Sequence, residues 1–325
     1  MRCIIFGGDG FLGHHTARAL ASQGVEVIVC DRRYDHAPEL SSVHFEHIDI
    51  RNAEEVHRFH FSSDDVVVNV AAVQYHEKIP KTHRDEFFQQ TNCRGTKNIL
   101  EAMEKQGCRK FIYYSTDMVY GKPQYLPVDT RHPQVPFGPY GESKKISEGI
   151  CRAFREKGFH ITIFRPRLII GPGRLGILEK LFWLVEHHLP VLMIGKGNNC
   201  YQMISVFDCV QAITCALRHD IPNREYNLGS KNPPTVRALL RSLIVERKSH
   251  SSLIATNGSA VKSTLAFLGK IGIDIMHKEQ YMIADEQYIV DTSATEHELG
   301  WMPEYSDQQM LKEAYEYYLQ KHHPA

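Results

Sequence analysis

Apolar residues in the first half of the chain come in short unbroken runs instead of alternating with polar ones. Six runs read as strands: Cys3–Phe6, Val25–Cys30, Val43–His47, Asp65–Ala71, Lys110–Ser115 and His160–Arg165. Val66-Val67-Val68-Asn69-Val70 shows the character best, being apolar on both pleat faces, as in a strand buried from both sides of a parallel sheet. Helical runs separate the strands, notably after Gly13 through Ser22, from Phe87 to Lys105 and from Gly141 to Arg155. Regular alternation of strand and helix predicts an α/β fold, a doubly wound parallel Rossmann sheet with its ligand at the carboxyl ends of the strands.

After Gly171-Pro172-Gly173 the rhythm breaks. A helix is expected from about Leu175 to His187, where Pro190 limits extension, then a short strand Val191–Ile194. Ile204-Ser205-Val206 leads into a helix near Asp208, read as its N-cap, and Tyr226–Gly229 reads as a last sheet strand. Helices near Thr235–Glu246, Val261–Leu268 and Gln308–Leu319 complete a second, smaller mixed α/β lobe. The expected division is a dinucleotide-binding domain over 1–168 and 205–231 and a substrate-binding lobe over 169–204 and 232–325, with the ligand in the cleft between them.

The first strand runs into Gly7-Gly8-Asp9-Gly10-Phe11-Leu12-Gly13, a Gly-x-x-Gly-x-x-Gly turn opening a helix. Glycines there let backbone N–H groups and the helix N-terminus, with Phe11 and Leu12 in its first turn, approach a pyrophosphate. Asp31 ends the second strand, where an acid accepts the ribose hydroxyls and repels a 2′-phosphate. Arg32 and Arg33 would favour that phosphate but are read as a solvated loop, so the expected cofactor is NAD.

Bulk composition narrows the partners. Lys plus Arg and Asp plus Glu are both 38, so no net field recruits nucleic acid or anionic lipid. No stretch has the apolar length of a membrane span, and Met1 precedes a core strand at once, which predicts no signal peptide. The eight cysteines show no paired spacing and read as small buried hydrophobes of a reducing, cytoplasmic setting. The 19 histidines are scattered without a ligand pattern, so no metal is expected.

The chemistry is expected where strand Phe111–Ser115 ends at Thr116 and where Tyr140 and Lys144 stand four apart, on one face of a helix. A free phenol titrates near ~10 and is a poor base at neutral pH. A neighbouring ammonium, together with a nicotinium charge, would lower that value and let Tyr140 exchange a proton with a carbinol or ketone. Thr116 would hold the reacting oxygen, and Lys144 would also reach the nicotinamide ribose.

These pieces resemble the extended short-chain dehydrogenase/reductases of the NAD-dependent epimerase/dehydratase family. The resemblance rests on the glycine turn, Asp31, Asp49-Ile50, Asn69-Val70-Ala71-Ala72 and Asn92-x-x-Gly95-Thr96. It continues through Ser115-Thr116-x-x-Val119-Tyr120-Gly121, Tyr140-Gly141-x-Ser143-Lys144, Arg165-Pro166, Gly171-Pro172-Gly173, Asn227-Leu228-Gly229 and Glu298-Leu299-Gly300-Trp301-x-Pro303, and so spans nearly the whole chain. It implies that Asp49 and Ile50 flank the adenine, that Ala71 and Ala72 line the cofactor, and that the protein is a cytosolic homodimer paired through two helices per subunit.

Departures from the family pattern bear on the reaction. Members that dehydrate nucleotide hexoses carry Thr-Asp-Glu at the strand end, and this chain has Thr116-Asp117-Met118, in which methionine cannot take the C5 proton. Asp117 stays a substrate-side residue, with a turn cap as its other reading. Leu168 stands where an Asn commonly meets the substrate phosphate, and Tyr201 where an Arg follows the Gly-x-Gly turn, here Gly195-Lys196-Gly197. Arg167, Arg174 and Lys196 are candidate replacements, each with ordinary surface charge as the alternative. Thr264–Leu268 is apolar enough to line a greasy pocket, with plain core as the preferred reading. A small-molecule substrate follows in either of two enzyme readings. The favoured one is a nucleotide-sugar C4 epimerase working through a keto intermediate, or a keto-sugar reductase. The other is a 3β-hydroxysteroid-dehydrogenase-like oxidoreductase. A non-catalytic dinucleotide sensor ranks below both, because the tyrosine–lysine pair is retained.

Overall fold

The computed structural model of the protein describes residues 2–35, 42–75, 77, 79, 80, 82–271 and 276–323. The first half runs β1 (Arg2–Phe6), α1 (Phe11–Ser22), β2 (Glu26–Asp31), β3 (Val43–His47), α2 (Ala53–Arg58), β4 (Val66–Asn69), α3 (Arg84–Gln89), α4 (Thr96–Lys105), β5 (Lys110–Tyr114), α5 (Pro139–Arg155) and β6 (His160–Pro166). The second half runs β7 (Leu168–Ile170), α6 (Leu178–Glu186), β8 (Val191–Met193), β9 (Met203–Ser205), α7 (Val206–Arg218), β10 (Glu225–Leu228), α8 (Val236–Glu246), β11 (Leu253–Ala255), α9 (Gly258–Lys270), α10 (Lys278–Tyr281), α11 (Ser293–Leu299) and α12 (Asp307–His322).

Seven strands form one parallel sheet in the order β10-β6-β5-β4-β1-β2-β3. Strand order therefore reverses between β1 and β4, the switch point where a doubly wound sheet opens a crevice for a ligand. The unbroken apolar runs have a direct cause. Cys3, Ile5, Val66 and Val68 face a core shared with α1 and α7. Ile4, Phe6 and Val67 face the opposite core, built on α4 and α5. Each strand thus needs apolar side chains on both faces. A third cluster, outside the sheet, joins α6, α8 and α12 through Phe182, Leu243, Tyr315 and Tyr318. There β7 pairs with β9, and β8 with β11.

Four element readings change. Helix α5 begins at Pro139, which suits the first helical position, so Tyr140 lies in the first turn. Helix α7 is capped by Ser205, whose hydroxyl accepts from the Phe207 N–H. Asp208 instead accepts from the N–H groups of Glu304 and Tyr305, at 2.9 and 3.4 Å, and its carbonyl accepts from the Trp301 indole at 2.9 Å. It anchors the Leu-Gly-Trp-x-Pro stretch. The apolar run Thr264–Leu268 lies on α9, where no described residue is buried, so it is not core; Phe267 is 63 % exposed. The single helix expected over Phe87–Lys105 is interrupted by a wide turn over Gln90–Gly95, between α3 and α4.

Candidate active site

The glycine turn sits at the β1 end of the switch point. Gly7 has φ +77°, and a Cβ there would lie 2.5 Å from the Ala71 backbone. A Cβ on Gly13 would run into the Gly7 carbonyl, so the first turn of α1 packs directly on the loop. Gly10 caps α1 without a side chain, and no acid stands in the first turn. Its leading amides, on half-buried Phe11 and buried Leu12, are left to an anion, which is the donor set a diphosphate requires. Asp31 accepts from the N–H groups of Arg32 (2.7 Å), Asp9 (3.1 Å) and Arg33 (3.3 Å), and burial still pushes its pKa up. Arg32 is half-buried and Arg33 exposed, as a solvated loop requires. Both donate to Glu77, at 3.0 and 3.3 Å. Asp49 is paired with Arg51, and Ile50 is buried beneath Gly95. Ala71, half-buried beside Ala72, donates its N–H to Asn69 at 3.1 Å.

Tyr140 and Lys144 are both buried on α5. Lys144 Nζ donates to the Tyr114 carbonyl at 2.7 Å, at the end of β5, and lies 4.6 Å from the Tyr113 ring centre. Burial pulls its pKa down to about 8. The Tyr140 hydroxyl accepts from Gln74 Nε2 at 2.8 Å, and Gln74 Oε1 accepts from Arg174 at 2.8 Å. Burial pushes the phenol well above its ordinary pKa, and the Arg174 cation is the strongest influence opposing it. The expected lowering by Lys144 is thus not what dominates in the protein alone. Arg174 and Gln74 form the polar relay behind the hydroxyl. Nothing in the spacing of Gln74 marks it in sequence. Its loop is fixed by Asn92, whose amide bonds both backbone groups of Val73 (2.9 and 3.2 Å) and Ser143 Oγ (2.9 Å). The wide turn over Gln90–Gly95 therefore ties the Gln74 loop to the helix carrying Tyr140.

Thr116 caps a single 3₁₀ turn, Asp117–Val119: its hydroxyl accepts from the Met118 N–H and donates to Asp117 Oδ1, both at 3.2 Å. Asp117 makes a buried ion pair with Arg167. Arg167 is therefore not surface charge. It also donates to the Gln202 carbonyl at 3.1 Å and lies between the rings of Tyr288 (3.9 Å) and Tyr201 (4.7 Å), while its Nη2 has no hydrogen-bond partner. Burial is the largest single influence and opposes its charge, but Asp117, Tyr201 and Tyr288 together outweigh it and hold the pKa up. Met118 packs in the apolar cluster of Val73, Phe88 and Tyr140. Lys196 stays exposed; its carbonyl accepts from Arg237.

A dinucleotide-binding α/β fold with a buried Tyr–Lys pair at the strand ends defines a class of enzymes. The profile of the NAD dependent epimerase/dehydratase family matches residues 3–229. A UDP-glucose 4-epimerase of Halalkalibacterium halodurans is 34 % identical over 264 residues, covering 74 % of this chain and 78 % of the relative. A mouse dTDP-D-glucose 4,6-dehydratase is 25 % identical over 337 residues, covering 99 % and 90 %. The crystal structure of a Thermotoga maritima UDP-glucose 4-epimerase with UDP-glucose superposes with a TM-score of 0.77 at 24 % identity, over 99 % of each chain. The protein belongs to the NAD dependent epimerase/dehydratase family, and NAD is its cofactor. Among the described residues no helix is long and apolar enough to cross a membrane.

The glycine cradle and uncapped α1 fit that cofactor. Arg32 and Arg33 are both engaged by Glu77, and Asp31 stands where its charge repels a 2′-phosphate. Calorimetry is expected to give tighter binding of NAD and NADH than of their phosphorylated forms. Preference for NADPH would show that the two arginines leave Glu77 for the phosphate.

Proposed function

We propose that the protein is a nucleotide-sugar C4 epimerase or keto-sugar reductase, acting at a single carbinol centre without loss of water. The observation that carries this reading is the buried Tyr140 hydroxyl, backed by Gln74 and Arg174 and set one helical turn from Lys144. Gly7, Gly10, Gly13, Phe11 and Leu12 would hold the diphosphate, Asp31 the adenosine ribose, Asp49 and Ile50 the adenine, and Ala71, Ala72 and Lys144 the nicotinamide end. NAD supplies a hydride acceptor when bound. Tyr140 Oη exchanges the proton of the substrate hydroxyl. Burial holds the phenol protonated, ready to donate to a ketone. In the opposite direction the Arg174 charge and the Gln74 hydrogen bond each favour the phenolate. Thr116 steadies the reacting oxygen.

On the substrate side stand Asp117 and Arg167, a buried ion pair packed against the Tyr201 ring. Arg174 and Tyr201 complete the group. We assign 1–168 and 205–231 to the cofactor-binding domain and 169–204 and 232–325 to the substrate-binding lobe, with the substrate in the cleft between them. A cytosolic homodimer completes the proposal. All eight cysteines are free and seven are buried, which suits a reducing compartment.

The test is a panel of nucleotide hexoses and 3β-hydroxysteroids, followed by mass and NMR. Unchanged mass with inverted C4 is expected, or a change of two mass units for a reductase. A product lighter by one water would overturn the argument from Met118. Turnover of steroids alone would move the assignment to the steroid-type oxidoreductase.

A further inference from the structure

Helix α5 starts without a cap of its own. Gly138 occupies the N-cap and offers no side chain to the leading amides. A carboxyl group from elsewhere stands at that spot. Glu279, on the short α10, is only 2 % exposed. Its Oε1 lies 3.5 Å from the Gly141 N–H, a long contact, and the Tyr140 N–H faces the same carboxyl. A Cβ on Gly138 would run into that same oxygen, so the glycine is required by the carboxyl beside it. Acids are rarely buried unless something holds them.

We propose that Glu279 is the N-cap of α5, supplied by a distant segment of the chain, and acts through it as a positioning residue for Tyr140. A side-chain cap satisfies the amides of the second and third helical residues, which here are Tyr140 and Gly141. The seat of the proton-exchanging phenol is then completed only when α10 is docked. The capping stands on geometry alone, whereas its effect on turnover rests on the role given to Tyr140 above.

The groups facing Glu279 are the phenols of Tyr75 and Tyr140 and the carboxylate of Asp117. Tyr75 is stacked on His277 at 4.2 Å and feels Arg84. Burial pushes Glu279 up to about 7, against the opposing pull of Tyr75 and the α5 amides that face it. Its protonated form still caps through a carbonyl oxygen. Its ionised form adds a charge that favours the helix end but makes Tyr140 harder to ionise. Because the folded value lies above the ordinary 4.5, the stability this group contributes is full below that value and is lost as pH rises through about 7.

The decisive measurement is the amide shift of Tyr140 and Gly141 by NMR of the full chain across neutral pH. Both are expected to titrate with a common midpoint of about 7 in the native protein and to lose that step in Glu279→Gln, which keeps an acceptor without the charge. Amide shifts that stay flat from about pH 4 to about pH 9 in the native protein, across the whole range in which a carboxyl group titrates, would overturn the capping. Glu279→Ala is expected to lower turnover roughly tenfold, the equivalent of an ordinary cap, with NADH binding unchanged. Adding Gly138→Ser, a cap in its usual place, should restore most of it. Native-like turnover of Glu279→Ala would overturn the positioning role. If no compound in the panel is turned over by the native protein, the proposed reaction fails, and the amide titration still decides the capping.

Discussion

Tyr140→Phe is expected to lower turnover by about a hundred- to ten-thousandfold, the range a positioned proton donor contributes, while leaving NAD binding intact. The ring packs with Val73 and Phe88, and phenylalanine fills the same space. Only the titrating oxygen goes, together with one hydrogen bond from Gln74, which Arg174 still holds. Lys144→Met should damage both turnover and cofactor affinity, because the ammonium faces the strand end as well as the nicotinamide side in the proposed arrangement. Steady-state kinetics on the true substrate and a parallel NADH titration separate the two outcomes. Near-native turnover by Tyr140→Phe would remove the phenol from the mechanism.

Asp117→Asn is expected to destabilise the fold by about 3–5 kcal/mol, because it leaves Arg167 as a buried charge without its counter-ion. Arg167 cannot reach water, and one of its nitrogens already lacks a partner. A loss of that size is a large share of the roughly 5–15 kcal/mol that holds a typical domain together. Urea denaturation followed by far-UV dichroism measures it. Replacing both partners with apolar residues of similar size, Asp117→Leu with Arg167→Met, should recover most of the stability, since neither charge then needs desolvating. The double variant should still fail to bind a nucleotide-sugar substrate. If Asp117→Asn unfolds at the native midpoint, the pair is not what holds Arg167. If the double variant binds substrate normally, Arg167 is structural only.

The sheet and the cofactor cradle were legible in the sequence because they are local. Strands buried on both faces must be apolar at every position, so β1, β4 and β5 announce themselves within five residues or so. The glycine turn is legible for the same reason: Gly7 and Gly13 have no room for a side chain, and the spacing records that constraint directly. Tyr140 and Lys144 share a helix face, so a four-residue interval already pairs them. What the chain could not show by spacing is what comes from afar. Gln74 reaches Tyr140 across 66 positions, and Glu279 reaches Gly141 across 138. Arg167 and Arg174 looked alike as cations after β6. Burial committed the first to Asp117 and turned the second toward Gln74. Asp208 looked like a helix cap, and tertiary packing gave it the Trp301–Tyr305 stretch instead. The apolar run on α9 looked like core, and nothing covers Phe267 among the described residues. Local sterics and periodicity therefore set the class of fold and the presence of a Tyr–Lys pair. The charge environment of that pair was decided by long-range contacts, because desolvation and Coulomb terms depend on distance in space and not on separation along the chain.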